Sequence, residues 1–561
     1  MNLFDEILKA RGLTGRAKEA FLNPSYDDKH DPFLLPDMDK AVTRLVSAHK
    51  KKEKVVIYGD YDIDGLTATT LLFDALEQFG FISVDAFIPN RFIEGYGLSS
   101  DAIEKIAENS AKVIITVDCG SLSHNEIIRA NQLGMDVIVT DHHNVAKVQP
   151  PAVAVINPKR WLAEYPNDYD GFVLKPDSKM VGKIYPFLDL AGVGVAFKLV
   201  QALQTKLPGF EPGQEKWLLD LVALGTVCDV VNLTNENRAN VYWGLKVLAK
   251  TRRPGLKALM AVARITPDKL SARSLGFSLG PRMNAAGRLE TAQHSLNLLR
   301  TKDSAKALYI AQKLDVMNTT RRSEQDVIFE AAKLQAAQYK NDNVLVLSDR
   351  RWNHGIIGIV AAKIMETFKK PTYVLEEIGE VAKGSARSYG DFSVAEAIEF
   401  AADIVTKGGG HKYAAGLTLP TTSIEAFRKA VNEYYRTKKL FNQQTLLLPR
   451  PDVITSLEFI TEDLVEDIGI MEPFGNGNPE PVLSSQNLRV VSKREMGAES
   501  QHVKLGLQDL NGRRLNVIAF NAPEHFFVEK GTRVSVWYQP SINEWNGLRT
   551  IEGRLLHIEI E

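Results

Sequence analysis

The sequence predicts an α/β chain: a doubly wound parallel-sheet domain, a long linking helix, a second, smaller α/β lobe and a C-terminal β-barrel. Three observations lead there. Short apolar runs alternate with amphipathic stretches from residue 54 to 156, the pattern of buried strands separated by crossover helices. Residues 303–340 read as one long helix with a mixed, rather polar surface and a Thr-Thr-Arg-Arg centre, as in helices that bridge two lobes. Beyond residue 451 the texture turns to short alternating strands punctuated by Asn511-Gly512 and Asn546-Gly547, a hairpin signal.

Bulk composition narrows the class. The 561 residues hold material for roughly three or four domains. Apolar content of 44% and charged content of 24% describe an ordinary soluble globular protein. The start, MNLFDEILKARGLTG, carries acids where a signal peptide needs an apolar stretch. No window of 18 uninterrupted apolar residues occurs, so no membrane span is expected and the cytoplasm is the expected compartment. The two cysteines, Cys119 and Cys228, exclude a disulfide framework and a Cys-based zinc site and read as small core residues. With 68 basic and 69 acidic residues the chain lacks the footprint of a duplex-coating protein. A nuclease remains compatible, since metal-binding carboxylates offset local basic patches in the sum.

In chain order, residues 1–53 form a helical segment, with patterns around 1–18 and 38–52. The domain 54–300 opens on KVVIYGDYDIDGLTATTLLFDALEQF: an apolar strand 55–58, an acidic turn, and a helix ending at Gly80. Asp60, Asp62 and Asp64 stand at every second position of that turn. Three carboxylates so crowded repel strongly unless a cation sits between them. An EF-hand is excluded: its twelfth loop position is Leu71 rather than Glu, and no helix precedes the loop. A solvated acidic turn is the bland alternative.

Further strands are expected at 84–88, 113–117, 137–139 and 153–156, with helices at 100–108 and 124–133. Asp118 follows one strand and Asp141-His142-His143 another. In an open parallel sheet the carboxyl ends of the strands share one edge, so the acidic and histidine clusters converge there. Asp141 also reads as a helix N-cap. In LVALGTVCDVVNL, Asp229 interrupts an apolar run and, if buried, must be paired, hydrogen-bonded or metal-bound. The mainly helical stretch 190–300 contains GPRMNAAGR, read as a loop with Arg282 and Arg288 and no clear period.

After the linking helix, 301–341, comes the lobe 342–450 with GSARS, holding Ser385 and Arg387, and GGGH, holding Gly409, Gly410 and His411. A glycine run lets backbone N–H groups approach an anion, and an arginine grips phosphate bidentately. A flexible turn is the bland reading of the glycines. The turn-rich EPFGNGNP segment reads as a connector within 451–561. The strands near 488–491, 502–507, 515–520, 534–538 and 548–558 suffice for an OB-type barrel. Trp537, Tyr538 and Trp545 are candidates for stacking on bases, or for its core.

GDYDIDG, VDCGS, TDHHN and GTVCDVV, in this order, resemble the four motifs of the DHH phosphoesterases. GGGHKYAAG and GSARS resemble that family's DHH-associated domain, and GPRMNAAGR and FGNGNPEP resemble its bacterial single-strand exonucleases. The resemblance implies two divalent cations, Mn²⁺ or Mg²⁺. Asp62, Asp64, Asp118, His142 and Asp229 are implied as ligands, Asp118 bridging, with Asp60 as a further ligand and His143 against the scissile phosphate. Arg91, in PNRFIEGYG, and Arg282 are implied to contact the substrate backbone, and Ser385 and Arg387, beside Gly409, Gly410 and His411, to receive a 5′-phosphate. The activity implied is hydrolysis of single-stranded DNA from the 5′ end to 5′-mononucleotides in DNA repair and recombination. Single-strand-binding protein and a helicase are the implied partners of a monomer. One departure is visible: the family's W-H-x-G reads Trp352-Asn353-His354-Gly355. Two rivals are an oligonucleotide or cyclic-dinucleotide phosphodiesterase, whose shorter core lacks the barrel, and a non-catalytic single-strand-binding scaffold, which the intact acid set opposes.

Overall fold

The computed structural model describes residues 2–95, 97–438, 449–545 and 547–561. Its first sheet comprises β1 (Val55–Gly59), β2 (Val84–Phe87), β3 (Val113–Val117), β4 (Asp136–Thr140) and β5 (Ala154–Ile156), all parallel in the order β2-β1-β3-β4-β5. β1 and β3 are buried throughout, which is why they read as unbroken apolar runs. Alternate side chains serve opposite faces. Ile57 packs with the helices Met38–Lys51, Ile63–Gln78 and Gly192–Gln204. Tyr58 packs with Ser100–Glu108 and His124–Gln132. Strand order reverses beside β1, so the crevice at the carboxyl ends of β1 and β3 is the topological switch point. A small hairpin, β6 (Tyr169–Asp170) and β7 (Val173–Leu174), lies outside this sheet.

One segment departs from expectation. GPRMNAAGR is no loop but the helix Gly280–Leu289, entered through a π-helical turn, Leu275–Leu279. Pro281 is tolerated in its first turn, while Met283, Ala285 and Ala286 are buried. The glycines that hid its period are packing residues: a Cβ on Gly280 would lie 2.7 Å from Cys228 Sγ. The apolar run around Asp229 is the helix Leu219–Cys228, with Asp229 at its C-cap.

The helix Ser304–Gln338 spans roughly 52 Å at 1.5 Å per residue. Ala307, Ile310 and Leu314 join the first core, while Ile328, Ala332 and Ala336 pack against Ile356 and Val360 of the second lobe. That lobe is a mixed sheet of β8 (Leu345–Asp349), β9 (Thr372–Ile378), β10 (Val381–Arg387), β11 (Lys407–Gly410) and β12 (Ala414–Pro420), ordered β11-β12-β10-β9-β8. The glycine run is thus an edge strand rather than an open loop. A Cβ on Gly408 would sit 2.5 Å from Ile398 Cγ2.

The last domain contains β13 (Val453–Ile454), β14 (Leu483–Met496), β15 (His502–Gln508), β16 (Arg514–Ala519), β17 (Arg533–Trp545) and β18 (Leu548–Ile560). The pairings β14-β15-β16-β18-β17 return to β14, closing a five-stranded ring with β16 and β18 parallel. Tyr538 is a core residue, its hydroxyl 3.0 Å from Ser485 Oγ. Trp537 packs its ring against His557. The side chain of Trp545 and the turn residue Asn546 lie outside the described residues. The N-terminal segment is divided. Gly12, at φ +74°, follows the helix Leu3–Ala10 and separates it from Gly15–Leu22. Leu3, Phe4, Ile7 and Leu8 complete the core of the barrel.

Candidate metal centre

The acidic turn is built by the strand-to-helix transition after β1. Asp62 caps the helix Ile63–Gln78, its Oδ1 accepting from the Gly65 N–H at 3.1 Å. A Cβ on Gly65 would lie 2.5 Å from the Asp60 carbonyl oxygen, so glycine lets the helix start against the strand end. Asp64, buried one turn in, meets a second helix head-on. Its carboxylate accepts from the Gly192 N–H at 2.6 Å and the Val193 N–H at 2.8 Å, the first donors of Gly192–Gln204, where the dipole favours an anion. Asp118 follows β3 in the left-handed region, φ +61°, a conformation that clusters at functional sites.

Asp141 begins no helix, contrary to the N-cap reading. It ties the loop after β4 together instead. Its Oδ2 accepts from the Ser121 N–H at 2.9 Å, and its Oδ1 accepts from the His142 N–H at 2.7 Å and the His143 N–H at 3.1 Å. The His143 Nδ1 lies 2.8 Å from the same oxygen. The Asp141 carboxyl would be raised by burial, but the bond from His143 and the two nearby imidazoles outweigh this and lower it.

Three ligand triplets result: Asp60, Asp62 and Asp118; Asp64, His142 and Asp229; Asp118, His142 and His143. Within each, one donor atom per residue lies within 4.8 Å of the others. His142 Nε2 stands 3.1 Å from Asp118 Oδ1, 3.6 Å from Asp229 Oδ2 and 3.8 Å from Asp64 Oδ2. Asp118 and His142 each belong to two triplets, as neighbouring cation positions require. Burial, then the charge of neighbouring aspartates, pushes Asp60, Asp64, Asp118 and Asp229 above the usual carboxylate range. Burial and the charge of His143 lower His142 to about 3, the neutral state in which imidazole binds metals. Burial opposes protonation of His143, but Asp141 raises it to about 9. Among the described residues, Asp60 Oδ1 and His142 Nε2 are buried without a hydrogen-bond partner. An oxygen-rich set with one or two imidazoles and unused buried acceptors fits hard divalent cations, Mg²⁺ or Mn²⁺. Burial pushes up the Cys119 and Cys228 thiols beside them, and among the described residues neither belongs to a ligand triplet.

A cavity of about 230 Å³ opens beside these groups, lined by Tyr61, Asp62, Arg91, Asp229, Asn284 and Arg288 among others. The Arg91 guanidinium lies over the Tyr61 ring at 4.3 Å. Arg282 is not brought there. Its Nε donates to Asp315 Oδ1 at 2.7 Å and its Nη1 to the Ser278 carbonyl at 2.8 Å, turning it to the long helix. Arg288, six positions on and on another helical face, lines the cavity instead. Burial and the positive charges of Arg91, Arg321 and Arg387 lower its guanidinium to about 9. Arg288 thus lies within the electrostatic reach of three other guanidinium groups.

Ser385 and Arg387 come from β10 of the second lobe. A Cβ on Gly358 would lie 3.3 Å from Ser385 Oγ and 3.4 Å from Arg387 Nη2, so that glycine keeps space in front of the pair. Gly409 and Gly410 are exposed and paired with β12. His411 Nδ1 accepts from Asn144 Nδ2 at 3.3 Å, joining the second lobe to the loop of His142 and His143. In the altered tryptophan motif, Asn353 caps the helix His354–Phe368. His354 holds Glu376 at 2.6 Å and packs on Phe92, so it braces the lobes. Arg288, Asp141, and Gly192 with Val193 were not singled out as site residues from sequence. The glycine opening an apolar helical run at Gly192 was the available signal.

Comparison with known proteins agrees with this architecture. The model of the DHH family, N-terminal domain, matches residues 54–226, the DHHA1 domain 341–437 and the RecJ OB domain 451–557. The single-stranded-DNA-specific exonuclease RecJ of Bacillus subtilis is 35% identical over 550 residues, covering 97% of this chain and 66% of that protein. Its Salmonella typhimurium counterpart is 34% identical over 541 residues, covering 92% of this chain and 89% of that protein. Among solved structures, RecJ from Thermus thermophilus in complex with Mn²⁺ superposes with a TM-score of 0.80 at 27% identity, covering 99% of this chain and 75% of that one. Shared domains in the same order, with this identity over nearly all its length, mean that the chain belongs to the RecJ family of DHH proteins.

Proposed function

We propose that this protein is a metal-dependent exonuclease that hydrolyses single-stranded DNA from its 5′ end and releases 5′-mononucleotides. The observation that carries the reading is the convergence of Asp60, Asp62, Asp64, Asp118, His142 and Asp229 beside Arg91 and Arg288. The relatives named as single-stranded-DNA-specific exonucleases and the Mn²⁺ complex of one of them support it. Two Mn²⁺ or Mg²⁺ ions held by this set would supply charge stabilisation to both the attacking and the leaving oxygen of an in-line displacement.

The chain's own groups do the rest. Arg91 and Arg288 grip the phosphates beside the scissile bond. His143, protonated and oriented by Asp141, faces the phosphate as a donor. Ser385 and Arg387 receive the terminal 5′-phosphate, a dianion that binds a guanidinium more tightly than an internal phosphate does. One cavity of about 780 Å³ runs from Cys228, Asn284 and Arg288 to Gln539 and Arg554 of the barrel, and the body of the strand follows it. Single-strand-binding protein and a helicase would present that strand to a monomer. No helix among the described residues is long and apolar enough to cross a membrane.

The test uses end-labelled strands with Mn²⁺, carrying a 5′-phosphate or a 5′-hydroxyl, against wild type and Arg387→Ala. Loss of the phosphate or of the guanidinium should each lower kcat/KM by roughly 10–100-fold, and the two losses should not add. Asp118→Ala should abolish release of nucleotides while the strand still binds. Degradation from the 3′ end, or normal turnover by Asp118→Ala, would refute the reading.

A further inference from the structure

We infer that Asn476, on the turn leading into the barrel, is a positioning residue for Asp229 and couples the barrel to the metal centre. The inference rests on the reading of Asp229 as a metal ligand. Immediately after Asp229, Val230 has φ +66°. A β-branched residue does not hold the left-handed region by itself, so the surroundings must hold it. The Val230 carbonyl accepts from Asn476 Nδ2 at 3.1 Å, and the Leu233 N–H donates to the Asn476 carbonyl at 2.7 Å. One residue, far away in sequence, thus grips both ends of the loop 230–233.

The fit of the turn to this loop is close. A Cβ on Gly475 would lie 2.7 Å from Leu233 Cδ1, and one on Gly477 2.9 Å from Asn232 Cβ. The turn is closed by paired Gly475 and Asn478 backbones, and the buried Asn478 Nδ2 donates to the Met471 and Pro473 carbonyls at 2.9 Å each. Asp189 Oδ2 accepts from the Asn232 N–H at 3.0 Å and Asn232 Nδ2 at 2.8 Å. With 232 and 233 anchored, a Val230 released to negative φ passes its rotation back to Asp229, whose Oδ2 lies 3.6 Å from His142 Nε2. A contact that only docked the barrel would not need to meet the residue next to a ligand, nor to hold it in a strained conformation.

The experiment uses the full chain as Asn476→Ala, Val230→Gly and the double variant, measuring Mn²⁺ binding by calorimetry without DNA, single-strand binding and Tm in EDTA, and kcat. Asn476→Ala should weaken Mn²⁺ binding roughly tenfold and lower kcat, with strand affinity in EDTA unchanged. Val230→Gly removes the strain, because glycine enters the left-handed region freely. The double variant should therefore bind Mn²⁺ like Val230→Gly alone. An Mn²⁺ isotherm unchanged in Asn476→Ala, with only Tm and strand affinity reduced, would make the turn a docking contact and overturn the inference. Additive losses in the double variant would overturn it too. A wild-type chain that takes up no Mn²⁺ would overturn the metal-centre reading itself, and the inference with it.

Discussion

Arg282 and Arg288 belong to one helix and have opposite expected fates. Arg288→Ala should lower kcat/KM by roughly 10–100-fold, the loss of one charge-assisted grip on phosphate. Arg282→Ala should leave it unchanged and cost about 0–1 kcal/mol of stability, because its ion pair with Asp315 is partly exposed. Steady-state kinetics and urea unfolding of the two variants separate these outcomes. Arg282 was expected at the substrate from the family resemblance, and the structure turns it to Asp315 instead; a proline and two glycines hid the helical period that tells the two faces apart. The carboxylates of the 60–64 turn and Asp118 were legible for the opposite reason: each group follows an apolar strand, and strand ends in a parallel sheet have only one edge to share.

Those carboxylates also set a pH dependence. Asp60, raised to about 8, and Asp229, raised to about 7, bind more protons folded than unfolded. Their contribution to stability is present below about pH 4, the ordinary carboxylate value, and is lost as pH rises through 7 and 8. In EDTA, Tm should fall across that window. Mn²⁺ should flatten the profile, and its binding near pH 7 should release protons, read by calorimetry in buffers of different ionisation enthalpy. A Tm profile indifferent to Mn²⁺ would count against a metal among these groups.

At the scale of elements, the centre depends on one helix pointing its first turn at Asp64. A Cβ on Gly192 would lie 2.7 Å from Asp118 Cβ and 2.9 Å from Asp64 Oδ2. Gly192→Ala should reduce Mn²⁺ affinity roughly 10–100-fold. Two positions on, a Cβ on Gly194 meets nothing nearer than 3.5 Å, and Gly194→Ala should raise stability by about 0.5–1 kcal/mol. Calorimetry with Mn²⁺ and thermal unfolding of the pair check both. The core strands were readable as unbroken apolar runs because both their faces are buried, and the barrel strands because burial of one face imprints a period of two. The glycine run was not: its glycines answer to neighbours such as Ile398 in tertiary contact, so an edge strand looked like a loop.

Across the whole molecule, the α/β order, the linking helix and the closing barrel were all legible from texture. The union of the helix Leu3–Ala10 with the last domain was not, since contact between distant segments leaves no local pattern. It alters what truncation does. A chain stopped at Arg450 should show a raised KM on long strands, because it loses the Gln539 and Arg554 end of the cavity proposed to carry the strand. Its kcat should fall as well, since the turn holding Asn476 goes with the barrel. It should also bind a hydrophobic dye through the uncovered Leu3, Phe4, Ile7 and Leu8, and deleting residues 2–22 in addition should abolish that signal. Equal KM across strand lengths would give the barrel another role.

The same union has a consequence for how the protein is made. The apolar face of Leu3–Ala10 leaves the ribosome well before the strands that cover it. Those strands, from Leu483 onward, emerge roughly 25–100 s later at ~5–20 residues/s. Throughout that interval the nascent chain carries a sticky helix past a catalytic lobe that can already fold. Biosynthesis should therefore respond to chaperones that shelter the waiting helix, and to codon choice that prolongs the wait. Maturation ends only when a late domain closes over a segment made long before it.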